Sequence, residues 1–178
     1  SLVGVLSADH GLGLPDFRAS ERSFQLLTQV AGRSGRTGDG RVVFQTYQPE
    51  HPVILAASQH DYVAFLESEL PVRKALGYPP YRRLIRLGLS GRKQGMVLEA
   101  SEKLAAALRT DLGPLGVVVM GPAPAVFPRL SDRYRFQILL KGKLNADNRQ
   151  WLKKCIESLK EAYRQVDVLH DFDPVSIY

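Results

Sequence analysis

The run Tyr78-Pro79-Pro80-Tyr81 constrains the fold most, because two successive prolines hold the chain in an extended link. The charge balance changes at the same place. Residues 1–77 carry 7 Lys and Arg against 8 Asp and Glu, whereas residues 78–178 carry 17 against 10. We therefore predict two domains, 1–77 and 78–178, and the whole net charge of +6 arises in the second. Such an excess of positive charge is typical of a protein that binds a polyanion.

The composition excludes several classes of protein. Cys155 is the only cysteine, so the chain has neither an internal disulfide nor a cysteine-built zinc site. Its longest apolar stretch, residues 115–127, is too short and too interrupted by glycine and proline to span a bilayer, and no signal peptide is visible. We therefore expect a cytoplasmic protein without a membrane partner.

The first domain alternates between strand and helix patterns. Strands are predicted at residues 2–6 and 41–47, and helices at residues 16–31, 51–58 and 59–70. Pro71 should kink or end the last helix. The alternation predicts a parallel α/β layer. Because Ser1 leads directly into the first strand pattern, we expect the chain to be a piece of a longer protein whose earlier strands are missing.

The second domain has a different order of elements. Strand patterns cover residues 84–90, 116–121, 133–141 and 166–172, and helical patterns cover residues 94–112 and 147–165. The resulting order is β-α-β-β-α-β. This order predicts an α+β domain of the split βαβ, ferredoxin-like type.

One short motif points to nucleotide chemistry. Residues 29–36 read Gln-Val-Ala-Gly-Arg-Ser-Gly-Arg, and the glycine at 32 is predicted to end the helix, so Arg33 and Arg36 would lie just past it. Arg33 and Arg36 could both reach one cleft, where guanidinium groups would neutralise the charge on a γ-phosphoryl group in transfer. Gln29 lies one helical turn earlier, and Gly32 and Gly35 leave the backbone room to approach a nucleotide. Taken alone, the glycine-arginine run would also fit a flexible basic linker.

Longer sequence runs that are distributed over the whole chain carry a resemblance to a known family. They are Asp-Phe-Arg-Ala-Ser-Glu-Arg at 16–22, Phe-Gln-Leu-Leu-Thr-Gln-Val-Ala-Gly-Arg at 24–33, Gly-Tyr-Pro-Pro-Tyr at 77–81, Gly-Pro-Ala-Pro at 121–124, Arg-Tyr-Arg-Phe-Gln-Ile-Leu-Leu-Lys at 133–141 and Asp-Phe-Asp-Pro at 171–174. In these runs the chain resembles the PriA family of primosomal replication-restart helicases, in superfamily 2. The resemblance implies the remainder of a second, RecA-like helicase lobe followed by the C-terminal domain of the family.

The resemblance also implies an activity. It is that of an ATP-dependent 3′-to-5′ DNA helicase that recognises stalled replication forks and restarts replication by primosome assembly. The implied cofactors of the whole protein are ATP and Mg²⁺, with zinc held outside this chain. Its implied partners are forked and single-stranded DNA, single-stranded DNA-binding protein and other primosome proteins, at the nucleoid.

The printed residues lack several parts of such a motor. They include no Gly-x-x-x-x-Gly-Lys-Ser/Thr loop, no acidic magnesium-binding box and no paired cysteines. We therefore expect no ATPase activity and no bound metal or cofactor from these residues alone. Asp9, His10 and Asp16 could suggest a metal site, but no fourth ligand has a suitable spacing.

The predicted sheet of the second domain offers a surface for DNA. Residues 84–90 and 133–141 would be the central strands, and their apolar side chains, including Tyr134 and Phe136, would face the helices. The other face would contact phosphates by charge instead of stacking on bases. Its predicted DNA-binding residues, with one from the neighbouring edge, are Arg86, Arg129, Arg133, Arg135, Gln137 and Lys141.

Other functions stay open at this stage. The sheet face could be merely solvated, as in many small domains. The chain could be a stand-alone nucleic-acid- or protein-binding module without catalysis. It could also belong to another superfamily 2 translocase, or to an RNA-binding protein of ribosomal type.

Overall fold

The structure is a computed structural model that describes residues 2–34 and 40–177. The chain divides into two compact units, the first ending at Leu76 and the second beginning at Gly77. Each unit has its own sheet and its own hydrophobic core, so the chain is a mixed α/β protein. Within the described ranges, no helix is long and apolar enough to cross a membrane.

The described residues of the first unit form two strands and three helices. The elements are β1 (Leu2–Val5), α1 (Ala19–Ser34), β2 (Arg41–Phe44), α2 (Pro52–Ser58) and α3 (Tyr62–Leu76). Strands β1 and β2 lie parallel, with Val3 opposite Val42 and Val5 opposite Phe44. Parallel neighbours need a crossover connection between them, and α1 provides it here.

The core of the first unit forms where the apolar stripe of α1 meets α2 and α3. Phe24 of α1 stacks on Phe65 of α3, with ring centroids 4.4 Å apart and planes inclined by 11°. Leu27 and Ile54 are buried beside them. Phe24 and Leu27 are three residues apart, the spacing that predicted this helix from the sequence. A stacked aromatic pair contributes about 0.5–1.5 kcal/mol beyond the burial of its surface.

Of the two effects predicted for Pro71, a kink or a helix end, the helix end does not occur. Helix α3 continues to Leu76, with Pro71 inside it. Pro71 is exposed, and its missing N–H removes one hydrogen bond from this side of the helix. Two ion pairs of Arg73, to Glu69 and Glu21, hold the turn that follows.

The second unit contains four strands and two long helices. The elements are β3 (Arg83–Gly91), α4 (Gln94–Leu112), a 3₁₀ turn (Gly113–Leu115), β4 (Val118–Leu130), β5 (Arg133–Gly142), α5 (Ala146–Ala162) and β6 (Asp167–Phe172). The strands form one antiparallel sheet in the order β4-β5-β3-β6. The first and third strands of the unit are therefore central, as the β-α-β-β-α-β pattern predicts.

Both helices of the second unit pack on the same face of this sheet. Ile85 lies opposite Leu140 and Leu87 opposite Ile138, and these four side chains are almost completely buried. Helices α4 and α5 cover them with a layer of aliphatic side chains that includes Leu104, Leu108, Leu152 and Ile156. Burial of one such side chain stabilises a fold by about 1.5–3 kcal/mol. The opposite face of the sheet carries no helix of this unit.

Strand β4 is much longer than predicted. The sequence pattern places a strand at residues 116–121 and an irregular segment at 127–133, whereas β4 extends from Val118 to Leu130. Its register with β5 shifts between Met120 and Ala123, and again between Pro124 and Arg129. Prolines within this strand cannot donate to the ladder, and an edge strand tolerates them at such bulges. A two-residue turn at Ser131 and Asp132, both with positive φ, leads into β5.

Candidate nucleotide and nucleic-acid contact residues

The last turns of α1 carry the described part of the arginine motif. Gln29, Gly32 and Arg33 all lie inside this helix, so Gly32 does not end it as predicted. The side chains of Gln29 and Arg33 are exposed and four residues apart, which places them on one face of the helix. Gly35 and Arg36 lie outside the described residues.

The position of Arg33 has two physical consequences. A cation in the last turn of a helix interacts favourably with the negative end of the helix dipole. A Cβ at Gly32 would meet nothing within 4 Å, so the backbone beside Arg33 faces open space. A ligand can therefore approach the guanidinium from this side, and the charge of Arg33 offsets the negative end of the helix dipole, which by itself would repel an anion.

Polar contacts before α1 fix how this helix begins. The amide of Arg18 donates to a carboxylate oxygen of Asp16 at 2.9 Å, and Arg22 forms an ion pair with the other oxygen at 3.3 Å. Asp16 thus organises the start of α1, which begins at Ala19. The residues that form the core and those that carry the motif are positioned by the same helix.

Arg73 joins α3 to α1. Its guanidinium lies 2.9 Å from a carboxylate oxygen of Glu21 and 2.9 Å from one of Glu69. Burial alone lowers the pKa of Arg73, but the hydrogen bonds and charges of the two carboxylates outweigh it and raise this pKa above its ordinary value. The same guanidinium lies over the Phe17 ring, 5.7 Å from its centroid. These polar contacts join α1 to α3 in addition to the hydrophobic contacts between the two helices.

Asp9 joins the loops that follow the two parallel strands. Its carboxylate accepts hydrogen bonds from the Thr46 hydroxyl and from the Tyr47 amide, the latter at 2.9 Å. The Thr46 hydrogen bond first, and the Tyr47 hydrogen bond second, lower the pKa of Asp9. Asp9 therefore has a structural role. In the part of the chain that the structure describes, no three histidine, cysteine or acidic residues could hold a metal ion together.

The helix-free face of the second sheet carries part of the predicted basic set. Arg86 lies opposite Leu139, Gln137 opposite Gly88, and Arg135 opposite Ser90, so all of these share one face. A small cavity of about 90 Å³ lies over Gly88, between Arg86, Arg135 and Gln137. Because Gly88 has no side chain to fill it, the cavity exposes polar groups of both central strands. We call Arg86, Arg135 and Gln137 the open-face group.

Acidic residues on the fourth strand share this face, which the sequence reasoning missed. In the register of β3 and β6, Asp171 lies opposite Arg86 and Asp167 opposite Ser90. Arg133 donates to the Ser90 carbonyl at 3.0 Å and pairs with the Asp167 carboxylate. Part of the positive charge is therefore balanced within the sheet. The alternation along residues 167–172 is the sequence signal for this placement, since it puts Asp167 and Asp171 on the opposite side of the strand from the buried Val168.

Two residues of the predicted DNA-binding set do not join the open-face group, Lys141 because it is buried on this face and Arg129 because it lies on the other one. Lys141 is only 7% exposed, and its ammonium lies 3.6 Å from the centroid of the Tyr78 ring, so a phosphate cannot reach it in this conformation. Arg129 lies opposite Tyr134 with its guanidinium over that ring, 5.3 Å from the centroid. Tyr134 alternates with the core residues of β5, so Arg129 belongs to the other face of the hairpin.

Comparison with known proteins places the chain among replication proteins. Residues 74–175 match the family model described as the primosomal protein N C-terminal domain. The chain is 47% identical to the replication restart protein PriA of Synechocystis over 142 residues, which are 79% of this chain and 17% of that relative. It is 39% identical to PriA of Bacillus subtilis over 174 residues, 97% of this chain and 22% of the relative. It is 41% identical to PriA of Treponema pallidum over 177 residues, 99% of this chain and 27% of the relative. The chain therefore spans about a fifth to a quarter of the length of these relatives.

Proposed function

Because this chain belongs to the PriA family of replication restart proteins, we propose that it is the C-terminal part of an ATP-dependent DNA helicase. The whole protein would move 3′ to 5′ on DNA, recognise stalled forks and restart replication by primosome assembly. The observation that carries this proposal is the similarity to proteins named for replication restart, which extends over 99% of the chain in one of them. Such a protein would act in the cytoplasm, at the nucleoid.

In this proposal the first unit is part of a RecA-like helicase lobe. Leu2 and Val43 of the two parallel strands are exposed, at 73% and 57%, although both are apolar. Parallel sheets normally have both faces covered. The alternate residues Val5 and Phe44 already pack against the core of the unit. We therefore propose that the rest of the protein covers the face of Leu2 and Val43 and adds strands to this sheet.

The arginine motif would then act on ATP that is held mainly by another lobe. Arg33 and Arg36 would contact the γ-phosphate, and Gln29 would contact the phosphate or the attacking water. The backbone beside Gly32 and Gly35 would approach the nucleotide. Arginine residues that act in this way accelerate hydrolysis by about 10³- to 10⁵-fold. ATP, Mg²⁺ and zinc would be bound by the whole protein, and residues 1–178 alone would not turn over ATP.

The second unit would supply contact with DNA. The half-buried basic side chains of the open-face group and the net charge of +7 in residues 78–178 support contact with the phosphates of forked or single-stranded DNA. Arg133 would contribute less than predicted, because it donates to the carbonyl and the hydroxyl of Ser90 in addition to its exposed pair with Asp167. Arg129 would contact DNA only where the DNA strand also reaches the other face of the β4–β5 hairpin. Protein partners such as single-stranded DNA-binding protein would bind the whole protein.

The second unit could also act as a binding module in its own right. Among the described residues, the hydrophobic core that its sheet shares with α4 and α5 is formed by side chains between Ile85 and Val168. A DNA-binding module of this kind and a motor subunit are compatible, since the first could be a part of the second.

Unwinding of a synthetic replication fork by the whole protein tests the motor proposal. Arg36→Ala should abolish unwinding while leaving the affinity for the fork unchanged. Arg41→Ala is the matched control, because Arg41 is an exposed arginine of the same unit outside the motif. Normal unwinding by the Arg36→Ala protein would refute the assigned role of the motif.

A further inference from the structure

A second basic cavity lies at the opposite end of the sheet from the β4–β5 turn. It has a volume of about 390 Å³ and opens where β3 begins and β5 ends, since Arg83 and Gly142 are register partners. None of the predicted DNA-binding residues lines it. Its walls are formed by Pro80, Tyr81, Arg82, Arg83, Gly142, Lys143, Leu144 and Asn145. We call it the linker cavity.

The turn that forms one wall of the linker cavity is well anchored. The Tyr78 carbonyl accepts hydrogen bonds from the amides of Tyr81, at 3.0 Å, and Arg82, at 3.5 Å. The Tyr78 ring lies against the buried ammonium of Lys141. Gly77 has a φ of +64°, and a Cβ there would lie 3.3 Å from Cδ of Arg82. Tyr81 and Arg82 are therefore held in position before any ligand arrives, which lowers the entropic cost of binding.

The charge of the linker cavity favours an anion. Arg82, Arg83 and Lys143 are exposed, and no carboxylate is among the residues that line the cavity. Arg83 pairs with Asp173 at 3.3 Å, but both side chains are about half exposed, so this pair is weak and screened. None of the described residues forms an ion pair with Lys143. The cavity therefore presents at least two cations whose charge is not compensated locally.

An aromatic ring gives the cavity a second recognition element. Tyr81 is 41% exposed, and the buried Leu144 provides an apolar surface in the same cavity. Phosphate contact alone needs cations but no ring, whereas sites for single-stranded nucleic acids combine a basic groove with aromatic side chains on which bases stack. The volume falls within the range of pockets for small organic ligands, about 300–1,000 Å³.

We propose that the linker cavity binds one nucleotide of single-stranded DNA, with its base against the Tyr81 ring and its phosphate between Arg82 and Lys143. This inference rests on the proposed DNA-binding function of the second unit. It adds a base-stacking contact to that function, at a place remote from the open-face group. A duplex would gain little from it, because its bases are already stacked on each other.

Fluorescence titration of the 178-residue chain with a 20-nucleotide single strand that contains 2-aminopurine tests the proposal. Stacking on Tyr81 should quench the 2-aminopurine. Tyr81→Leu should remove this quenching and weaken single-strand binding about 5- to 100-fold, the range measured for loss of one stacked base. Tyr81→Phe keeps the ring and should bind like the unmodified chain. The affinity of all these proteins for a duplex of equal length should be nearly the same.

Matched charge variants complete the experiment. Arg82→Gln with Lys143→Gln should weaken single-strand binding, whereas Arg149→Gln with Lys153→Gln, which removes two cations from α5, should weaken it much less. Equal effects of the two double variants, unchanged binding by Tyr81→Leu, or binding of free dAMP as tight as that of the oligonucleotide would each overturn the proposal. Circular dichroism of every variant checks that it is folded.

The same titration separates this proposal from the one on which it rests. If Arg86→Gln with Arg135→Gln weakens binding and Tyr81→Leu does not, the linker cavity is excluded and the open-face proposal stands. The reverse result supports the cavity and excludes the open face. If the unmodified chain binds no DNA, both proposals fail.

Discussion

Arg133 of β5 pairs with Asp167 of β6 across the whole width of β3, which lies between these two strands in the sheet. The guanidinium also donates to the carbonyl of Ser90 on the strand that it crosses. A basic side chain that the sequence assigns to DNA is thus held by an internal carboxylate. The DNA affinity of this face should therefore depend on acidic residues as well as on basic ones.

Asp167→Asn should strengthen DNA binding. The change releases Arg133 to contact a phosphate, and each additional contact should steepen the dependence of log K on log salt by about 0.7–0.9. Fluorescence anisotropy with a labelled fork at several salt concentrations measures both quantities. Asp111→Asn is the control, since Asp111 is an exposed acid of α4 and the net charge changes equally. Equal effects of the two variants would mean that overall charge, and not Arg133, determines the affinity.

Arg86→Gln with Arg135→Gln should weaken fork binding about 10-fold and flatten its salt dependence by about 1–2 units of slope, because two phosphate contacts disappear. The control removes two exposed lysines from α5, with Lys154→Gln and Lys160→Gln. The same anisotropy titration measures all of these proteins. An unchanged slope in the Arg86 and Arg135 variant would exclude the open-face group from DNA binding.

The sequence predicts the central strands of the second unit well but only part of the basic face. The alternation of Ile85 and Leu87 correctly predicts which side faces the helices, because strict period 2 leaves one solution for a strand with one covered face. The sequence places Arg129 in an irregular segment near the basic face, whereas β4 continues to Leu130 and pairs Arg129 with Tyr134 on the other face. Lys141 is buried by Tyr78, which is distant in sequence and reaches it only in the folded chain.

In the first unit, too, features set by neighbouring residues are predictable from the sequence, whereas contacts between distant residues are not. The positions of Phe24 and Leu27 follow from helical spacing and are predictable. In the turn that follows Pro71, Arg73 of α3 pairs with Glu21 of α1, which lies 52 residues away. Local rules cannot include such a contact. The phosphate contacts of Gln29, Arg33 and Arg36 stay predictions.

Arg73→Met should destabilise the first unit by about 2 kcal/mol, because two hydrogen bonds between charged groups are lost and two carboxylates are left without their partner. Urea unfolding followed by circular dichroism gives the free energy of unfolding. Lys74→Met alters an exposed neighbour on the same helix and should change it by less than about 0.5 kcal/mol. A stability loss of equal size in both variants would contradict the role of the Arg73 contacts.

The contact of Asp9 with Thr46 and Tyr47 should depend on pH. Because the hydrogen bonds lower the pKa of Asp9 in the folded protein, their contribution to stability is fully present above the ordinary carboxyl pKa of 3.8. It should be lost as the pH falls below that value through the lowered pKa. Hydrogen exchange of the Tyr47 amide, followed by NMR from pH 6 to pH 3, measures this loss.

Thr46→Val provides the matching variant for Asp9. It removes the hydroxyl that lowers the pKa of Asp9 most, so protection of the Tyr47 amide should be lost at a higher pH than in the unmodified chain. If the two proteins lose protection at the same pH, the Thr46 hydroxyl does not determine the titration of Asp9.

The most direct test of the account compares ATP turnover and DNA affinity in the whole protein. Arg33→Ala should lower ATP turnover at saturating DNA by at least 100-fold without changing the Kd for the fork, because Arg33 would act on the nucleotide. Arg86→Gln with Arg135→Gln should raise this Kd while turnover at saturating DNA stays normal. If either variant changes both the ATP turnover and the Kd for the fork, the account is contradicted, because it assigns ATP hydrolysis to the first unit and DNA contact to the second.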